Sequence, residues 1–124
     1  MKFLLVVTGL FFYFSTCAQQ ANEKVIKTID VSVIKAEMKK HDFIILDVRT
    51  PEEFAAGHLE NAVNVNYYGK DFTQRISALN KEKKVIVYCA VGGRSGQALT
   101  QMDALGFTYV LNMKGGYNAW KTQQ

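Results

Sequence analysis

The chain has 124 residues, 48% of them hydrophobic, which is enough apolar material for one packed domain and too much for a disordered chain. Two cysteines and one proline exclude a disulfide-dense mini-protein, a four-cysteine zinc site and collagen-like material. The net charge of +4 is too small to indicate nucleic-acid binding by itself.

The beginning of the chain has the order of regions that is typical of a secretory signal. Lys2 is followed by a mostly apolar run at residues 3–14, which is shorter than the roughly 18–20 residues that span a bilayer, and then by small and polar residues. We therefore predict an export signal at residues 1–18, a short tether at 19–24 and a folded domain at 25–124, in the periplasm or cell envelope. A buried core helix or a retained anchor is the alternative interpretation of the apolar run.

Two ways of processing this signal stay open. A small-residue site would release the chain just before Gln19, whereas residues 14–17 loosely resemble a lipobox in which Cys17 receives the lipid. In the second case the lipid would be the protein's contact with the membrane. In both cases Cys89 is left as the lone free cysteine, and a lone cysteine cannot form an intrachain disulfide.

Short apolar runs alternate with helical patterns from residue 25 onward. In chain order, the pattern predicts a strand at 25–29, a helix capped by Asp30, a strand at 43–48, a helix at 52–56, a strand at 62–65, a helix capped by Asp71, a strand at 85–89, a helix at 95–105, a strand at 108–111 and a helix at 116–121. The runs at 43–46 and 85–88 are continuously apolar, which is typical of strands covered on both faces. The chain is therefore predicted to be a three-layer α/β domain, with a parallel sheet of about five strands and helices on both faces.

Cys89 ends the predicted strand 85–89, and ligand sites of open α/β sheets lie at the carboxyl ends of strands. The loop that follows contains Gly92 and Gly93, and a helix is predicted to begin near Ser95. Such a loop can turn successive N–H groups toward one anion, and the helix N-terminus adds partial positive charge. We therefore expect a lowered pKa and an accessible, reactive thiolate at Cys89, although a free cysteine is commonly a small buried hydrophobe.

Three stretches of the sequence resemble the motifs of rhodanese domains. Residues 89–95 resemble the active-site loop C-x-x-G-x-R-S, residues 46–65 resemble the signature D-V-R-x-x-x-E-[FY]-x-x-G-H-[IL]-x-x-A-x-[NH], and residues 114–120 resemble the closing pattern G-G-x-x-x-W. The three motifs stand in the right order and together cover about residues 25–121. One departure is Glu60-Asn61, which stands where a proline–glycine pair is often found.

The resemblance implies a rhodanese-like fold and the activity of a sulfurtransferase of the thiosulfate:cyanide type. Cys89 would attack a sulfane donor such as thiosulfate, become a persulfide, and pass the sulfur to a thiophilic acceptor: cyanide, a small thiol or a thiol-bearing protein. The resemblance implies no metal and no organic cofactor. The backbone that would bind substrate belongs to Ala90, Val91, Gly92, Gly93, Arg94 and Ser95. The side chain of Arg94 would either bind the donor's sulfonate or face solvent.

Other polar residues of these motifs are predicted to support the structure. Asp47, Arg49 and Glu53 are expected to form one ion-pair and hydrogen-bond cluster that organises the loop after the second strand. His58 is expected to bond a helix end rather than to act as a base. The loop at 67–70 has no assigned element and is a candidate border of the site. A zinc site from the two histidines and Cys89 is rejected because it lacks a recognisable ligand spacing.

Two other functions compete with sulfur transfer. Many domains of this kind serve as non-catalytic binding modules, and that alternative stays open. A cysteine-dependent phosphatase is less compatible, because the four residues between Cys89 and Arg94 are one fewer than such phosphatases have. The smaller ring fits a sulfur anion better than a tetrahedral phosphate.

Overall fold

The computed structural model describes residues 2, 9–13 and 23–124. Most of the predicted export signal at 1–18, including Cys17, and most of the tether at 19–24 lie outside the described residues, so these predictions stay open. Within the described part of the chain, no helix is long and apolar enough to cross a membrane.

Five parallel strands form one sheet, in the order β1-β5-β4-β2-β3. Their bounds are β1 Val25–Ile29, β2 Ile44–Asp47, β3 Val63–Asn64, β4 Val85–Tyr88 and β5 Tyr109–Met113. All four residues of β4, the central strand, are buried, as expected for a strand that is covered on both faces. The carboxyl end of β4 therefore delivers the next residue, Cys89, to the middle of one sheet edge.

Five helices connect and cover the strands. Their bounds are α1 Val31–Met38, α2 Pro51–Ala56, α3 Phe72–Ser77, α4 Gly93–Ala104 and α5 Gly116–Thr122. Ile76 of α3 and Met102 of α4 pack with Val87 on one face of the sheet. Ile34 of α1 and the half-buried Trp120 of α5 pack with residues of the other face. The predicted three-layer α/β fold with helices on both faces is thus confirmed.

The ends of several elements differ from the sequence prediction. The strand predicted at 108–111 continues to Met113, because Asn112 and Met113 still pair with Thr28 and Ile29 of β1. The buried side chain of Asn112 also donates a hydrogen bond to Thr28. Asp30 and Asp71 do precede α1 and α3, but neither side chain makes the predicted cap hydrogen bond. At α1 the backbone carbonyl of Asp30 accepts the first helical bonds by itself.

A groove of about 350 Å³ lies at the amino ends of β2 and β4. Its lining includes His41, Phe43, Lys83 and Lys84, and it contains no cysteine. Cys89 lies at the opposite, carboxyl edge of the sheet, where open α/β sheets bind their ligands. The position of this groove therefore does not bear on chemistry at Cys89.

Candidate active site

The loop after β4 is closed by a glycine in a left-handed conformation. Gly92 has φ +110° and ψ −8°, a region that side-chain-bearing residues rarely adopt, and α4 begins at the next residue. The helix therefore starts at Gly93, two residues earlier than the predicted start at Ser95. This earlier start brings the first turn of α4 directly over the sulfur of Cys89.

Hydrogen-bond donors of the loop and of the first turn of α4 point at that sulfur. The backbone N–H of Gly92 donates to Cys89 Sγ over 3.0 Å, and the hydroxyl of Ser95 donates over 3.3 Å. Burial raises the pKa of the Cys89 thiol, but the hydrogen bonds from the Ser95 hydroxyl and from the amides of Ser95, Gly92 and Val91 outweigh it. The net result is a lowered pKa, which favours the thiolate.

Access to the sulfur differs from the prediction. The sequence predicted an accessible thiol, but Cys89 is only 1% exposed and belongs to the apolar core that also contains Val87 and Met102. The reason is that the side chain of Cys89 continues the buried face of β4 while the loop curls over it. At the same time Val91 is 66% exposed. The sulfur thus lies beneath a loop that is itself open to solvent.

The far side of the loop is held by the N-terminus of α5. The N–H of Tyr117 donates to the carbonyl oxygen of Cys89 over 2.8 Å, and the N–H of Asn118 donates to that of Ala90 over 3.1 Å. Gly116, with φ +60°, makes this approach feasible, because a Cβ there would lie 2.4 Å from the oxygen of Cys89. The loop carbonyls are therefore satisfied away from the sulfur.

Arg94 lies at the rim of the loop and is paired with Glu53. Its Nη1 and Nη2 donate to the two carboxylate oxygens of Glu53 over 2.7 and 3.0 Å, a bidentate fork. This hydrogen-bonded pairing with Arg94 lowers the pKa of Glu53 from 4.5 to about 2. The guanidinium also lies 5.6 Å from the ring of Tyr68, which is 68% exposed. The loop at 67–70 thus approaches the rim.

The predicted cluster of Asp47, Arg49 and Glu53 is wrong with respect to Glu53. Arg49 pairs with the fully buried Asp47 at 2.7 Å and donates to the carbonyl of Gly57, also at 2.7 Å. Glu53 is absent from this pair because it lies on α2, where it closes a capping box with Thr50 and reaches across to Arg94. Two separate ion pairs therefore replace the single predicted cluster.

The buried Asp47–Arg49 pair lies next to α5, the helix that holds the Cys89 loop. The Arg49 guanidinium lies 4.4 Å from the ring of Tyr117, the residue whose N–H holds the Cys89 carbonyl. Burial and the neighbouring Asp47 raise the pKa of Tyr88, whose hydroxyl oxygen accepts a hydrogen bond from the N–H of Leu59. The pair thereby supports the elements on which the loop rests, and neither residue contacts the sulfur.

His58 lies outside the sulfur's surroundings. Its ring stacks on Phe54, with the ring centroids 3.7 Å apart, and its Nδ1 lies 2.8 Å from the Phe54 carbonyl oxygen at the end of α2. Within residues 2, 9–13 and 23–124, no three His, Cys, Asp or Glu side chains gather in a group that could hold a metal ion.

Two contributions to this site were not predicted from the sequence. The first is the Ser95 hydroxyl, although a serine in the first turn of a helix is a hydrogen-bond donor whose side chain can turn back toward the loop. The second is the role of the glycines in the closing pattern. Two adjacent glycines before a short helix are a signal of close backbone approach, and here Gly116 approaches the Cys89 and Ala90 carbonyls.

Comparisons with known proteins agree on the kind of domain. The family model described as "Rhodanese-like domain" matches residues 30–123. The chain is 40% identical over 95 residues to thiosulfate sulfurtransferase 16, chloroplastic, of Arabidopsis thaliana, covering 64% of this chain and 79% of that protein. It is 37% identical over 106 residues to Protein HIGH ARSENIC CONTENT 1, mitochondrial, of the same plant, covering 77% of this chain and 62% of that protein.

Solved structures show the same architecture. A rhodanese-related protein from Thermoplasma volcanium superimposes with a TM-score of 0.70 at 27% identity, covering 78% of this chain and 92% of that one. A rhodanese-like domain protein from Staphylococcus aureus gives a TM-score of 0.67 at 29% identity, covering 76% and 90%. Both sequence and fold therefore relate the chain to the same group of proteins.

Proposed function

The chain belongs to the rhodanese-like domain family, and we propose that it is a sulfurtransferase that carries sulfane sulfur as a persulfide on Cys89. The observation that supports this most directly is the pair of donors at the sulfur, the Gly92 amide and the Ser95 hydroxyl. Donors in these positions stabilise a negative sulfur, either the thiolate or the terminal atom of a persulfide. Relatives named thiosulfate sulfurtransferase support the same reaction class.

The reaction has two displacement steps. The Cys89 thiolate attacks the outer sulfur of thiosulfate; the sulfur–sulfur bond of the donor breaks, and sulfite leaves with the bonding electron pair. The product is a Cys89 persulfide anion. An acceptor such as cyanide or a thiolate then attacks the terminal sulfur, the sulfur–sulfur bond of the persulfide breaks, and the Cys89 thiolate is regenerated. This is nucleophilic covalent catalysis with no net redox change.

The burial of Cys89 restricts which atoms reach it. A sulfane sulfur bonded to Cys89 lies about 2 Å from Sγ and is the atom that the acceptor attacks. The acceptor therefore has to reach only the outer atom. Slim donors and acceptors are favoured, since the thiol is 1% exposed.

Intact mass spectrometry after incubation with thiosulfate tests the proposal. The expected result is the gain of one sulfur atom, which cyanide removes as thiocyanate. Cys89→Ser should abolish the gain, and Cys17→Ser, which changes the other cysteine of the chain, should retain it. A panel of organic persulfides and polysulfides then identifies the preferred donor. Failure of every sulfane donor to load Cys89 overturns the proposal.

A non-catalytic binding module is the second candidate, and the burial of Cys89 favours it. A purely structural cysteine at this position would resist iodoacetamide in the folded protein and would stay unloaded. A reactive one would be alkylated at neutral pH, because hydrogen bonds to the sulfur lower the pKa of its thiol. The alkylation rate therefore separates the two functions without knowledge of the physiological donor.

We also propose that the protein is exported to the periplasm or cell envelope. The support is the sequence order of Lys2, an apolar run at 3–14 and small polar residues. Mass analysis of the mature N-terminus tests this proposal. A chain that begins at Gln19 indicates simple cleavage, a lipid on Cys17 indicates an anchored lipoprotein, and an uncleaved chain recovered from the cytoplasm overturns the export proposal.

A further inference from the structure

At the rim of the active-site loop, the carboxylate of Glu53 is paired with the guanidinium of Arg94. Glu53 accepts a hydrogen bond from both Nη1 and Nη2 of Arg94, and the two side chains are 34% and 18% exposed. Both nitrogens of the fork that would bind an incoming sulfonate are thus engaged by an internal anion. Glu53 is anionic at neutral pH, since its pKa is lowered to about 2.

Arg94 lies in the first turn of α4 and directly precedes Ser95, whose hydroxyl donates to the sulfur over 3.3 Å. The pKa of Arg94 is raised first by its hydrogen bond to Glu53, and the negative charge of Cys89 also contributes. A dianion that approaches Cys89 therefore meets the carboxylate of Glu53 together with a neutralised guanidinium. The cation that would attract a dianionic donor is thus neutralised, whereas the entry of a neutral donor does not depend on it.

We propose that Glu53 is a specificity-determining residue that disfavours doubly charged sulfur donors and favours neutral or singly charged ones, such as organic persulfides. The inference rests on the proposed function, because it concerns the donor used at the same sulfur. Its physical basis is the bidentate Glu53–Arg94 pair, in which the carboxylate engages both terminal nitrogens of the guanidinium and neutralises its charge.

Glu53→Gln is a clean variant, because glutamine serves in a capping box as well as glutamate does. The hydrogen bonds between residue 53 and Thr50 at the start of α2 can therefore persist while the charge is removed. Glu52→Gln is the matched control. Glu52 is the adjacent residue of the same helix and is exposed. Its substitution changes the net charge by the same amount, but Glu52 is not part of the fork with Arg94.

The first experiment needs no sulfur transfer. The Cys89-containing peptide is quantified after reaction of the folded protein with iodoacetate, an anion, or with iodoacetamide, its neutral analogue. The ratio of the two rates cancels changes in the thiolate fraction. We expect Glu53→Gln to raise the iodoacetate-to-iodoacetamide ratio by about fivefold and Glu52→Gln by less than about twofold, as for loss of a charge near to or far from the sulfur.

The second experiment measures loading with thiosulfate and with a singly charged organic persulfide, whose outer sulfur is transferred to Cys89 while its thiolate leaves. Glu53→Gln should lower the KM for thiosulfate severalfold and change that for the persulfide less. In an Arg94→Gln background, Glu53→Gln should lower the KM for thiosulfate less, because no guanidinium is present to be freed from the carboxylate. An unchanged or lower iodoacetate ratio in Glu53→Gln overturns the inference and shows that Glu53 only positions Arg94. If no variant is loaded by any donor, the proposed function fails, while the alkylation ratio still decides the role of Glu53.

Discussion

The backbone N–H of Tyr117 donates to the carbonyl oxygen of Cys89 over 2.8 Å, so the last helix of the chain holds the loop after the central strand. The next residue repeats the contact, with Asn118 donating to Ala90. Because these carbonyls point toward α5, the amides of the loop are left to face the sulfur. The lowered pKa of Cys89 therefore depends on a helix that does not touch the sulfur itself.

Gly116→Ala is expected to damage the site through this contact. The new Cβ would lie 2.4 Å from the Cys89 carbonyl oxygen and 2.6 Å from that of Ala90, and φ +60° is unfavourable for alanine. The loop must shift, at a cost of roughly 2–3 kcal/mol of unfolding free energy. We expect slower alkylation of Cys89 at neutral pH, with a pH profile moved to higher pH. Urea unfolding and alkylation by iodoacetamide measure the two effects.

Gly106→Ala is the matched control for this prediction. Gly106 also has a positive φ, +93°, but no atom lies within 4 Å of its added Cβ, and it follows the far end of α4. The variant should lose about 1 kcal/mol of stability from the backbone conformation alone. Its alkylation profile should match that of the wild type. An equal shift in both variants would mean that general destabilisation, rather than the α5 contact, controls the thiol.

Ser95→Ala removes the hydroxyl that donates to Cys89 Sγ over 3.3 Å and leaves the backbone amide in place. Burial then opposes the thiolate with one donor fewer, so the pKa of Cys89 rises relative to the wild type. At pH values below the pKa of both proteins the thiolate fraction falls, and we expect the alkylation rate there to drop about tenfold, the value of one hydrogen bond to a charged group. Well above the pKa the two rates should converge.

Ser77→Ala serves as the control, because that hydroxyl lies on α3 and bonds the Thr73 carbonyl at the protein surface. Its rate profile should be unchanged. A Ser95→Ala profile that coincides with the wild type at every pH would show that the backbone amides alone set the pKa of Cys89.

Much of the fold was predictable because its signals are local. The continuous apolar runs that became β2 and β4 required cover on both faces, and the alternation of elements required parallel strands. The cysteine at the end of β4 and the glycines after it likewise indicated inward-facing amides. These features depend on residues close together in the sequence.

What sequence could not predict depends on contacts between distant residues. The Glu53–Arg94 fork joins residues 41 positions apart, and three acidic or basic residues within one motif had favoured a single local cluster instead. The burial of Cys89 likewise depends on the packing of α4 against β4, which the spacing of apolar residues in the sequence does not predict. Partner choice among charged side chains is decided by where α2 places Glu53, and that is a tertiary property.

Asp47→Asn should strongly lower the free energy of unfolding, although Asp47 takes no part in the proposed reaction. Asp47 is fully buried and pairs with Arg49, which has 4% exposure, so the substitution leaves a buried guanidinium without its counter-charge. Removing one partner of such a pair costs about 3–5 kcal/mol. Urea unfolding measures the loss. Asp42→Asn, at an exposed position before β2, should change stability by less than about 0.5 kcal/mol. A small loss in Asp47→Asn would mean that Arg49 is satisfied by the Gly57 carbonyl alone.

The Glu53–Arg94 pair should also be visible in the acid stability of the protein. The pKa of Glu53 is lowered from 4.5 to about 2 by its hydrogen bonds to Arg94, so the folded state holds the carboxylate more strongly than the unfolded state does. A depressed pKa contributes stability above the unfolded value, and this contribution is lost as the pH falls toward the folded value. The difference in urea midpoint between wild type and Glu53→Gln should therefore be constant above pH 4.5 and shrink between pH 4.5 and about 2. Glu52→Gln, whose residue makes no such fork, should show no comparable window. A wild-type advantage that persists unchanged down to pH 2 would contradict an ionic origin of the stabilisation.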